Sequence, residues 1–96
     1  MDRRAFTETS DLFAYVFLFA PEFTIDDDVT LHSAFGELLD RIAGLERQAG
    51  FPDSVATLGW CRKKVALSME QFEAGNDEVG FAELQEAHHR FLEIKV

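Results

Sequence analysis

The stretch Glu86-Ala87-His88-His89 sets a carboxylate and an imidazole three residues apart. On a helix Glu86 and His89 would face the same way, and both side chains can ligate a transition metal. A carboxylate metal site inside a helical bundle needs two such pairs and two further inward Glu residues. This chain has one pair, so a symmetric dimer would have to bring the second, with Glu70 or Glu73 as the extra carboxylate. The apolar spacing opposes that reading. Leu84, Ala87 and Phe91 define the buried face, while Glu86 and His89 fall largely off it, beside Arg90 and Glu93 on a salt-bridged surface. His88 lies nearer the apolar edge and reads as a histidine at the rim of the core. The triplet Asp26-Asp27-Asp28 lacks the alternating spacing and central Gly of a calcium loop, and reads as a helix cap with acids that complement the helix dipole. Cys61 is the single cysteine and reads as a buried or half-buried thiol of a reducing compartment. No Ser nucleophile motif, Gly-rich phosphate loop, zinc spacing or dinucleotide fingerprint occurs. The expectation is a chain that is no enzyme, with no catalytic residue, cofactor or metal.

A second histidine invites a different chemistry. In His32-Ser33-Ala34-Phe35-Gly36 a His is followed four residues later by Gly. This spacing resembles that of histidine phosphotransfer domains, small acidic four-helix proteins. The resemblance implies that His32 carries a phosphoryl group and that Gly36 leaves room for it. The Lys that stands just before the Gly in that family is replaced here by Phe35, which leaves the phosphate poorly compensated. The alternative is a surface His on a helix, with a Gly that eases packing.

Four helices must position these residues. Leu31, Phe35, Leu38, Ile42, Leu45 and Ala49 recur at alternating four- and three-residue spacing, the seam of a long amphipathic helix. Its predicted end is Gly50 in the left-handed conformation, with Phe51 as the following hydrophobic contact and Pro52 preventing continuation. Asp53 is predicted to cap a third helix that buries Val55, Leu58, Cys61 or Arg62, Val65, Met69 and Phe72. Ala74-Gly75-Asn76 closes it, and Asn76 or Asp77 caps a fourth helix with Gly80, Leu84, Ala87, Phe91 and Ile94 inward. Short connections make successive helices antiparallel, so the expected fold is all-α, a single four-helix up-and-down bundle.

Residues 64–87 resemble one tetratricopeptide-type hairpin: Leu67, Ser68, Phe72, Gly75-Asn76, Gly80, Leu84 and Ala87 occupy that pattern's small, large and turn positions. The resemblance spans about a quarter of the chain and one unit only, whereas such repeats usually need about three to be stable. It implies a protein-binding module without chemistry of its own.

The first helix poses the remaining question. From Leu12 to Ala20 nine apolar residues follow one another in a chain of net charge −9. A membrane span needs roughly 20, and Asp2, Glu8 and Asp11 do not suit a signal peptide, so the expected location is cytoplasmic. Phe13, Tyr15, Phe17 and Phe19 alternate as in a strand, which would need pairing across a dimer. Capping by Thr9 or Ser10, Asp11 in the first turn and Pro21 at the end favour a helix. That helix carries two apolar stripes: Phe6, Phe13, Phe17 and Ala20 on one, Leu12, Tyr15 and Phe19 on the other. A surface helix needs one. Leu12, Tyr15 and Phe19 are therefore expected to form the interface of a homodimer. The acidic balance excludes nucleic acid and anionic membranes as partners and is compatible with a basic protein. The expected function is a small acidic protein–protein interaction module, an adaptor or regulator, acting as a homo-oligomer.

Overall fold

In a computed structural model, which describes residues 2–24 and 28–95, the chain forms four helices: α1 (Arg3–Phe19), α2 (Leu31–Gln48), α3 (Pro52–Glu73) and α4 (Asp77–Leu92). Among the described residues no helix is long and apolar enough to cross a membrane.

Each helix packs on its neighbours in chain order, and α1 closes the ring against α4, while diagonal pairs do not meet. Contacts along each seam run in opposite directions. Asp2 reaches Gln48 and Glu8 reaches Arg41 between α1 and α2; His32 meets Glu73 and Glu46 meets Arg62 between α2 and α3. Cys61 meets Ala87 and Ser68 meets Gly80 between α3 and α4; Phe6 stacks on Phe91 and Phe17 meets Phe81 edge-on between α1 and α4. The arrangement is thus the expected up-and-down bundle. Its core is built from Phe13 and Val16 of α1, Phe35, Leu38, Ile42 and Leu45 of α2, Leu58, Cys61, Val65 and Phe72 of α3, and Leu84, Ala87 and Phe91 of α4.

The most extensive seam joins α3 and α4, and small residues make it possible. A Cβ on Gly80 would stand 3.0 Å from two ring atoms of Phe72, and the buried Ser68 hydroxyl donates to the Gly80 carbonyl at 2.6 Å. The turn between them is a Schellman motif. Gly75 has φ +83°, its N–H donates to the Phe72 carbonyl, and the Asn76 N–H donates to the Gln71 carbonyl. The hairpin departs from the tetratricopeptide pattern at Leu67, which is 43% exposed.

Several helix ends differ from expectation. α1 begins not at Thr9 or Ser10 but at Arg3, where the Asp2 carboxylate accepts from the Arg4 N–H. Thr9 is buried mid-helix and returns its hydroxyl to the Ala5 carbonyl, and Ser10 faces α4. α2 is capped by Thr30, which exchanges two hydrogen bonds with Ser33 as a capping box. The expected acidic cap falls partly on Asp26 and Asp27, outside the described residues. Among the described residues only Gly75 is a left-handed glycine, so Gly50 is not. α2 ends instead at Ala49 in an extended conformation, and Phe51, 74% exposed, makes no capping contact. Pro52 opens α3 at its first position, where no N–H is needed, and Asp53 lies in the first turn rather than at the cap. Asn76 occupies the N-cap of α4, yet its side chain bonds Gln71 instead of the backbone.

Phe23, not foreseen as a core residue, is 1% exposed and adopts φ +49°. A left-handed conformation costs a bulky residue about 1–3 kcal/mol, and burying a Phe returns a similar amount, roughly 1.5–3 kcal/mol. Its ring lies 6.0 Å from that of Tyr15, so burial of the side chain holds the backbone there.

Candidate functional site

The two stripes of α1 meet two different neighbours. Phe6, Phe13 and Phe17 face α4, where they touch Phe91, His88 and Phe81. Leu12 and Tyr15 face α2 and line a groove of about 300 Å³ with Glu8, Asp11, Glu37 and Arg41. Tyr15 also touches Phe19 one turn on, ring centroids 5.1 Å apart. In a closed ring each helix has two seams, so both stripes find neighbours within the chain, on either side of the central line Thr9, Phe13, Val16 and Ala20. Leu12, Tyr15 and Phe19 are half-buried and packed against the core, and Leu12 and Tyr15 are open along the groove. Those left most in water are others: Leu18, 72% exposed, and Phe17, 37% exposed.

Charge is distributed unevenly along the bundle. Described residues 11–24, 28–40 and 65–89 hold no Lys or Arg. The antiparallel topology gathers them mostly toward one pole, where α1 and α3 end and α2 and α4 begin. Glu22, Asp28, Glu70, Glu73, Asp77 and Glu78 are all exposed there. The bases lie elsewhere, and several are engaged: Arg4 with Glu8, Arg41 with Glu8 and Glu37, Arg62 with Glu46 at 2.6 Å, Lys64 with Glu86. The close Glu46 carboxylate holds the Arg62 proton still more tightly than usual. Lys64 and Arg90 also lie over the Trp60 ring, 5.6 and 5.2 Å from its centroid. At the opposite pole a groove of about 650 Å³ mixes Asp53, Glu93, Arg90 and Lys95 with the exposed Phe51.

The residues singled out for chemistry are not brought together. Glu86 pairs with Lys64 at 3.5 Å and His89 is exposed. Among the described residues no three His, Cys, Asp or Glu side chains are placed to hold a metal ion. His32 is exposed and lies 3.4 Å from the Glu73 carboxylate, a poor neighbour for a phosphoryl dianion. Gly36 opens onto free space, but the preceding Phe35 is fully buried and brings no positive charge. Cys61 is buried, and its thiol donates to the Ala87 carbonyl at 3.4 Å. Burial pushes its pKa up to about 11, against a smaller lowering by Arg90, so the thiolate is scarce near neutral pH.

His88 does more than edge the core. Its ring lies parallel to Phe13, 4.8 Å away, and its Nε2 is 3.0 Å from the Ser10 hydroxyl. Burial pushes its pKa below the ordinary histidine range, and the neighbouring His89 adds to this. The pairing joins residues 78 positions apart, so no local pattern could have announced it. No family model, curated protein or solved structure matches the chain.

Proposed function

We propose that this protein is a protein–protein interaction module that works as a homo-oligomer, with α1 as the contact helix. The observation that carries this reading is the incomplete cover of the second stripe of α1. Leu12 and Tyr15 lie along an open groove instead of being sealed by α2. Burying an apolar side chain fully contributes roughly 1.5–3 kcal/mol, so a second copy laid along this groove has several half-realised contacts to complete. A two-fold contact would set the same groove against itself, the commonest arrangement in soluble oligomers. Glu8, Asp11 and Glu37 line the groove beside Arg41, so a two-fold contact has to set the Arg41 of each copy against the acids of the other.

Sedimentation velocity over a micromolar concentration series tests this reading. A dimer is expected for the wild type, and Leu12→Glu should give a helical monomer, since Leu12 borders the groove without filling the core. Tyr15→Glu with Phe19→Glu should also abolish the dimer, with loss of helix as well if the α1–α2 seam opens. A wild-type protein that sediments as a monomer throughout would refute self-association.

A further inference from the structure

The last turn of α1 presents a second surface, distinct from the groove. Leu18 projects away from both neighbouring helices at 72% exposure, and Phe17 beside it is 37% exposed. Phe17 meets Phe81 of α4 edge-on at 5.5 Å, which ties this apolar edge to the start of α4. At the same pole stand Glu22 just beyond α1 and Asp77 and Glu78 in the first turn of α4, all exposed. Among the described residues this pole has no Lys or Arg, and its one histidine, His32, lies against Glu73.

The charge selects the occupant. A second copy meeting this pole with its own would set acid against acid, which disfavours an isologous contact. Phosphate-bearing surfaces are repelled for the same reason. A cationic segment is attracted, and the apolar side chains demand that it carry anchors of its own at helical spacing. We propose that the last turn of α1, with Phe17 and Leu18 outermost within a rim of acids, docks a Lys- and Arg-rich amphipathic helix of another protein. This rests on the reading of the chain as a protein-binding module and names the class of its partner.

The probe is a fluorescein-labelled synthetic peptide with Leu on one helical face and Lys on the other, followed by fluorescence anisotropy against the full chain. Two further peptides serve as controls, one with every Lys changed to Glu and one with every Leu changed to Ser. The parent peptide should bind and both controls should bind at least about tenfold more weakly, as expected when apolar anchors and rim charges act together. Leu18→Ser should weaken the parent about tenfold while circular dichroism stays unchanged, because that side chain is mostly in water already. Glu22→Gln with Asp77→Asn and Glu78→Gln should weaken it similarly and flatten its salt dependence, whereas Asp53→Asn with Glu93→Gln at the opposite pole should leave affinity within about twofold. No binding of the parent, equal binding of the Ser-containing peptide, or equal loss from the opposite-pole variant would overturn the proposal. Sedimentation of the same samples separates the two readings. A dimer that ignores the peptide refutes the partner class alone, and a monomer that binds it refutes self-association alone.

Discussion

Replacing Gly80 by Ala sets two effects of known sign against each other. Gly80 lies in the first turns of α4, where Ala is favoured over Gly by about 1 kcal/mol. Against this, the new methyl would stand 3.0–3.1 Å from three atoms of the Phe72 ring. Relief requires the ring or the helix to move. The ring is held: Phe72 is buried, with Phe81 perpendicular to it at 4.8 Å and Phe35 tilted against it at 5.9 Å. The helix is held by the 2.6 Å bond from Ser68 to the Gly80 carbonyl. Overpacking in such a site costs about 1–3 kcal/mol, so the clash outweighs the helix preference, and Gly80→Ala should destabilise by on the order of 1 kcal/mol. Urea unfolding followed by far-ultraviolet circular dichroism measures this directly, and the thermal midpoint should drop by about 4–8 °C for a domain of this size. Phe72→Leu, destabilising alone, should cost less in the Gly80→Ala background, because the two share one contact. An Ala variant more stable than the wild type would refute the claim that α3 and α4 approach too closely for a side chain here.

The other glycines and His88 give sharper signs. Gly75→Ala should cost about 1 kcal/mol because of its left-handed φ, whereas Gly50→Ala should be neutral or slightly stabilising, with open space around the site; the same urea titrations compare them. Burial, helped by His89, lowers the pKa of His88 in the fold, while in the unfolded chain it takes up a proton at about pH 6.5. The unfolded state therefore binds more protons just below that pH, and the stability His88 contributes is present above about 6.5 and lost as pH falls through the window below it. Thermal midpoints between pH 7.5 and 5 should fall less steeply for His88→Gln than for the wild type; parallel profiles would show that the Phe13–His88 stack does not govern acid sensitivity.

The sequence by itself determined what depends on neighbours one helical turn away. The seam Phe35, Leu38, Ile42 and Leu45 is buried as its spacing required, as are Leu84, Ala87 and Phe91. Gly75 closes α3 because an αL residue is needed where the chain reverses within a few residues. Helix ends were less legible. Many residue types can cap, and the choice of Asp2 and Thr30 over Thr9 and the acids before Val29 depends on which backbone N–H groups are left facing each side chain. The Gly50-Phe51-Pro52 run fits a left-handed cap, but an extended Ala49 already ends α2.

What only the tertiary structure decided is what lies across from each local pattern. The apolar surplus of α1 implied two covered faces, and the closed ring assigned one to α4 and the other, half-open, to α2. The Phe13–His88–Ser10 cluster and the burial of Phe23 at a positive φ arise from contacts between distant segments, so neither has a local sequence signature. The acids at residues 22, 28, 73 and 77 lie at four separate helix ends. They share one pole because consecutive helices run antiparallel, which returns alternate helix ends to the same side of the molecule.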